Sequence, residues 1–125
     1  MTMEQHKFSI LKRLKSFSYA FNGLKILLRE EHNSRIHFVA TVAVIIFAIV
    51  FDLNVYEWIA IIFSSGLVIT AEIINTAIEN IADFISPEKN EKIKVIKDLS
   101  AAAVLISALT ALCIGLIVFI PKIKF

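Results

Sequence analysis

The sequence predicts an all-α integral membrane protein, one amphipathic amino-terminal surface helix followed by three transmembrane helices, and three observations predict it. The 125 residues are 58% hydrophobic with a positive mean hydropathy, too apolar for an ordinary soluble domain. A run of 22 residues without a charge, "LSAAAVLISALTALCIGLIVFI" at 99–120, exceeds the ~20 residues needed to cross a bilayer core. Basic residues cluster on one set of connections: seven of the 13 precede the first span, four lie between the second and third, and none lies in the turn 52–57. Helices are chosen over strands because each crossing must satisfy its own backbone. Length allows a single domain, 1–125.

In order along the chain, Leu11, Leu14, Phe17, Phe21, Leu24 and Leu28 recur at three- and four-residue steps while Lys12, Lys15, Lys25 and Arg29 fall mostly elsewhere. This is a basic amphipathic helix over about 8–30, suited to the cytoplasmic leaflet, with Gly23 as a local weak point. "IHFVATVAVIIFAIVF" at 36–51, extendable to 33–53, is the first span. It begins too far along the chain, and lacks the small-residue cleavage site, for a removable signal peptide. The second span runs over about 58–85 and ends before Pro87; the third runs over about 97–120 and ends at Pro121.

Lys7, Lys12, Arg13, Lys15, Lys25, Arg29 and Arg35 before the first span, with Lys89, Lys92, Lys94 and Lys97 in the second connection, put the amino terminus and that connection in the cytoplasm. Lys122 and Lys124 then end outside, where a snorkelling side chain is tolerated. Cys113 stands alone in the third span, which excludes a disulfide framework and predicts a buried, inert thiol. Ala101, Ala102, Ala103, Ser107, Ala108, Ala111 and Gly115 would let other helices approach the third span closely, so a homo-oligomer is expected.

The second span carries the chemistry. Within "LVITAEIINTAIENIADFI" at 67–85, Glu72, Glu79 and Asp83 fall within roughly 40° of one another on a helix, and Asn75 lies about 60° from Glu72. An ionisable group at membrane depth costs roughly 2.5–3.5 kcal/mol on insertion scales and marks function by default. The bland alternative makes Glu79 and Asp83 interfacial and pairs Glu72 with a polar group on a neighbouring helix.

"REEHNSRIH" at 29–37 brings Glu30, Glu31, His32, Asn33, Arg35 and His37 to the same interface, and "IKVIKDLS" adds Lys97 and Asp98. His32 and His37 read as interfacial hydrogen-bonding groups rather than ligands, and Lys97 reads equally as a topology charge. Carboxylates in this setting suit Mg²⁺ with a phosphate substrate, a general base of raised pKa, or proton and cation transport. No glycine-rich phosphate loop is present, since Gly23, Gly66 and Gly115 are far apart.

"AEIINTAIENIAD" followed by "KDLSAAAVL" resembles the prokaryotic diacylglycerol kinase family over nearly the whole chain. The resemblance implies a small homotrimeric membrane enzyme of the bacterial plasma membrane that phosphorylates a lipid alcohol with MgATP at the cytoplasmic side. "EHN" at 31–33 with "RIH" after it, Glu57–Trp58 and "IPK" at 120–122 resemble the Gram-positive branch of undecaprenol kinases, which recycle the cell-wall lipid carrier; diacylglycerol is the alternative acceptor.

Carried over by position, the resemblance implies Glu72 as the base on the lipid hydroxyl, with Asn75 supporting that site. It implies Glu31 and Glu79 as Mg²⁺ ligands, Lys97 and Asp98 as nucleotide contacts, and Lys12, Tyr19 and Glu88 as further parts of the nucleotide pocket. Sites would be shared between neighbouring subunits. A nucleic-acid partner is not expected. The rival from another class, a small cation- or proton-conducting oligomer, needs a polar path across the whole membrane. "AVIIFAIVF" and "IAIIF" leave the outer halves of the spans apolar. A non-enzymatic scaffold leaves the Glu72, Asn75, Glu79 spacing unexplained.

Overall fold

The computed structural model describes residues 9–123; Lys7 and Lys124, which contribute to the charge pattern, lie outside them. The chain forms α1 (Ile10–Glu30), α2 (His32–Val50), α3 (Val55–Ile85) and α4 (Glu91–Phe119), closed by a 3-10 turn at Ile120–Lys122. Helices α2, α3 and α4 are each long and apolar enough to cross a membrane. No strand occurs among the described residues.

Each boundary has a local cause. Ser9 caps α1 by accepting the Lys12 N–H. Asn54 and Glu57 open α3 with a reciprocal capping box, each side chain accepting the other's backbone N–H. Asn90 caps α4 through the Lys92 N–H, so that helix starts at Glu91, two turns before the expected position. Lys92, Lys94 and Lys97, read from sequence as connection charges, are therefore helical.

The α2–α3 turn is a Schellman motif. The Asp52 N–H donates to the Ile49 carbonyl and the Leu53 N–H to the Ala48 carbonyl, with Asp52 in the left-handed region at φ 54°. Leu53 and Ala48 are both buried, and with Ile61 and Val118 they form a small apolar core flanked by Val44, Phe51, Trp58, Ile114 and Phe119. Lys122 reaches the Glu57 carboxylate at 2.9 Å beside this core. Its expected snorkelling position is thus an ion pair, with the start of α3 as partner.

Helix α4 packs along α3, α2 also packs on α3, and α1 touches α2 and α3. The interior is as polar as it is apolar. Seven buried apolar residues are matched by seven buried polar ones (Ser34, Ser64, Glu72, Asn75, Thr76, Ser100 and Ser107), while Ile62, Phe63, Phe84 and Ile117 point outward. A chain with this inverted distribution takes its apolar solvent from outside. Cys113 belongs to that outer surface, a correction to the expected buried thiol. The small residues of α4 divide: Ser107 is buried, Ala102 and Ala103 line one groove, and Ala108, Ala111 and Gly115 line another. Leu11, Leu14, Phe17 and Phe21 of α1 are exposed and Leu27 alone on that helix is buried, so most of the apolar face of α1 finds no cover within the subunit.

Because a left-handed backbone costs a β-branched residue about 1–2 kcal/mol, Asp52→Val is expected to lower stability by about that amount. Asp52→Gly should hold or raise it. Thermal unfolding in detergent micelles measures both.

Candidate active site

The site begins at a corner one residue long. Glu31 ends α1 and opens α2 in an extended conformation (φ −109°, ψ 112°). Arg35, one turn into α2, donates from its guanidinium to the Leu28 and Arg29 carbonyls, covering the open carbonyl end of α1 and fixing the angle between the helices. The Glu31 side chain lies near enough to Glu79 of α3 for the two carboxylates to act on each other's charge.

Around that carboxylate pair stand charges from two helices. Lys97 of α4 donates to Asp83 of α3, and both lie close enough to Glu79 to act on its charge. Asn80 donates to Glu30 at 3.4 Å and to the Thr76 carbonyl at 2.9 Å. Two apposed carboxylates with a lysine beside them form an oxygen-rich cluster at the end of the molecule where α1 lies.

Glu72 lies seven residues deeper on α3, roughly 10 Å along the axis, and is only 3% exposed. Ser34 Oγ donates to its Oε2 at 2.9 Å. His37 Nδ1 lies 3.0 Å from Oε1, a close polar contact without the alignment of a full hydrogen bond. Asn75, on the next turn, accepts from Ser100 Oγ of α4 at 2.7 Å. Thr76 Oγ1 is buried without a partner among the described residues. The polar layer thus ties α2 to α3 through Glu72, and α3 to α4 through Asn75.

The sequence profile of the prokaryotic diacylglycerol kinase family matches residues 18–119. The chain belongs to this family. It is 33% identical to an undecaprenol kinase of Bacillus subtilis over 123 residues, covering 98% of this chain and 100% of that protein. It is 33% identical to a diacylglycerol kinase of Escherichia coli over 98 residues, covering 78% of this chain and 80% of that one. A Synechocystis diacylglycerol kinase is also 33% identical, over 88% of this chain and 63% of its own length. The protein is therefore a membrane-embedded lipid kinase using ATP, and the conductor and scaffold readings fall away.

Within the family frame, α3 at 31 residues is roughly 46 Å long, exceeding a ~30 Å hydrocarbon core. The bland reading of Glu72, a carboxylate paired with a polar group on a neighbouring helix, describes its geometry; the partners are Ser34 and His37.

Of the residues expected at the site, one subunit brings together Glu31, Glu72, Asn75, Glu79 and Lys97. Asp98 pairs instead with Lys94 at 2.6 Å and faces outward. Glu88 is exposed, with its carbonyl accepting from Ser86. Tyr19 is exposed on α1, and Lys12 lies 19 residues before Glu31, roughly 28 Å along a straight helix.

Ser34 and Ser100 were not among the expected residues. The available signal was helical spacing: Ser34 stands three residues before His37, and Ser100 three after Lys97, each pair sharing a face.

Two open apolar grooves flank this layer. One, between α3 and α4, has a volume of about 610 Å³ and includes Asn75, Ser100 and Ser107. The other, about 560 Å³, is lined by α2, α3 and α4 from His37 to Phe51 and Phe119. Glu72 lines neither, lying between them.

Removing Ser100 Oγ leaves the buried Asn75 carbonyl without its donor, so Ser100→Ala is expected to destabilise by about 1 kcal/mol. Ser107→Ala should have little effect, because that hydroxyl returns to the Val104 carbonyl of its own helix. Thermal unfolding in the same detergent compares the two.

Proposed function

We propose that the protein phosphorylates undecaprenol at the cytoplasmic leaflet of the bacterial plasma membrane, working as a homotrimer with Glu72 as the base. The observation that carries this reading is the buried Glu72 carboxylate, held two turns below the apposed Glu31–Glu79 pair. End-to-end correspondence with an undecaprenol kinase favours a polyprenol over a diacylglycerol acceptor. The basic residues of α1, with Lys89 before α4 and Lys92, Lys94 and Lys97 in its first turns, support the cytoplasmic side.

In this reading Asn75, which lines the α3–α4 groove, orients the lipid hydroxyl toward Glu72. Glu72 takes the hydroxyl proton as the oxygen–phosphorus bond forms. The bond between the γ-phosphorus and its bridging oxygen breaks, and ADP leaves. Lys97 counters charge on the transferred phosphoryl group, so positioning and electrostatics supply most of the rate.

Glu31 and Glu79 fit Mg²⁺: hard oxygen donors, negatively charged and facing one another. They number only two, and no set of three His, Cys, Asp or Glu gathers as a cage among the described residues. A cation held by one or two carboxylates and completed by phosphates is the usual Mg²⁺ arrangement. When bound, the ion neutralises phosphate charge. Lys12, Tyr19, Glu88 and Asp98, all exposed, would complete the nucleotide pocket of a neighbouring subunit. The uncovered face of α1 is consistent with such sharing.

In mixed micelles with MgATP, wild-type protein is expected to prefer undecaprenol over diacylglycerol, and Glu72→Gln to lose about 10²–10⁴-fold in kcat. Preference for diacylglycerol would overturn the acceptor; an active Glu72→Gln would overturn the base. Glu31→Gln and Glu79→Gln are each expected to raise the Mg²⁺ concentration for half-maximal activity at least about tenfold. With chelator present, Glu31→Gln should raise the unfolding temperature, because it removes one of two repelling charges.

A further inference from the structure

Both oxygens of Glu72 are met from a single face of α2. Ser34 and His37 are three residues apart, so one helical turn presents a hydroxyl to Oε2 at 2.9 Å and an imidazole nitrogen to Oε1 at 3.0 Å. The α2–α3 interface also has an apolar contact away from Glu72, where Ala48 and Leu53 meet Ile61.

The two partners also differ in their surroundings. Ser34 is buried, whereas His37 keeps part of its ring on the groove between α2 and α4, with Nδ1 turned in toward Glu72. A carboxylate oxygen has two lone pairs, so the Ser34 hydrogen bond on Oε2 and the close approach of His37 Nδ1 to Oε1 leave lone-pair capacity on Glu72 for a substrate proton.

We propose that Ser34 and His37 are positioning residues, which hold the Glu72 carboxylate in the one orientation from which it takes the lipid proton. The inference rests on Glu72 as the base and adds the groups that aim it. The donor that counts on His37 is Nδ1, not the ring as a filler of space. An asparagine in its place carries an N–H donor close to the Nδ1 position; leucine fills similar volume without one. Threonine at position 34 keeps the hydroxyl; alanine removes it.

The test is steady-state kinetics of the full chain in mixed micelles with undecaprenol and MgATP. His37→Leu and Ser34→Ala are expected to lose about 10–100-fold in kcat, the scale of a misplaced catalytic group, with KM for MgATP within about twofold. His37→Asn and Ser34→Thr should recover most of the loss, a pattern that a space-filling role does not produce. Ser34→Ala, the milder truncation, serves as the reporter where His37→Leu fails to fold. If His37→Leu and Ser34→Ala keep kcat within about twofold while Glu72→Gln is inactive, positioning is overturned and the base survives. Equal loss in His37→Asn and His37→Leu overturns the role of Nδ1. Activity in Glu72→Gln removes the base and the positioning with it.

Discussion

Everything at the α1 end of the molecule is arranged around one carboxylate inside an apolar span. A charge or an unpaired polar group buried there is costly enough that neighbouring side chains must come to meet it. Ser34 and His37 do so from α2, and the same turns of α3 carry Asn75 to Ser100 of α4. The polar layer is therefore a cross-brace between the three helices. Outside it, α2 meets α3 chiefly in the small core built on Ala48, Leu53 and Ile61.

The same constraint explains the inverted character of the subunit. Polar side chains are drawn inward to satisfy one another, and isoleucine, leucine and phenylalanine are left outside, where lipid tails solvate them as well as a protein interior would. Two open grooves remain because three helices cannot enclose a layer of this size. The buried polar layer and the charged cluster thus adjoin at the boundary between an apolar span and the charged end. Glu72 is on one side of that boundary; Glu31, Glu79 and Lys97 are on the other.

Much of this was legible in the sequence. Hydropathy and apolar periodicity marked four helices, and the helical period placed Glu72, Glu79 and Asp83 on one stripe of α3. What the period does not encode is which residues of other helices face that stripe. Ser34 was hidden as one small polar residue in "NSRIH", and Lys97 gave no sign of choosing Asp83. Cys113 was misplaced because depth in a span says nothing about whether a side chain faces the bundle or the lipid. The early start of α4 was missed because Lys92 and Lys94 read as connection charges until Asn90 is seen capping the helix.

The sequence by itself determined the spans, the carboxylate stripe and the motif by which the family is identified, because these depend only on residues near one another along a single helix. The tertiary structure alone decided that Glu31 turns back toward Glu79, that Glu72 is held from α2, and that Asp98 pairs with Lys94 and faces outward. Those facts depend on the angle at a one-residue corner and on the rotation of each helix about its axis. Both are fixed by contacts between residues distant in the chain, such as Arg35 on the carbonyls of α1 and Ser34 on Glu72.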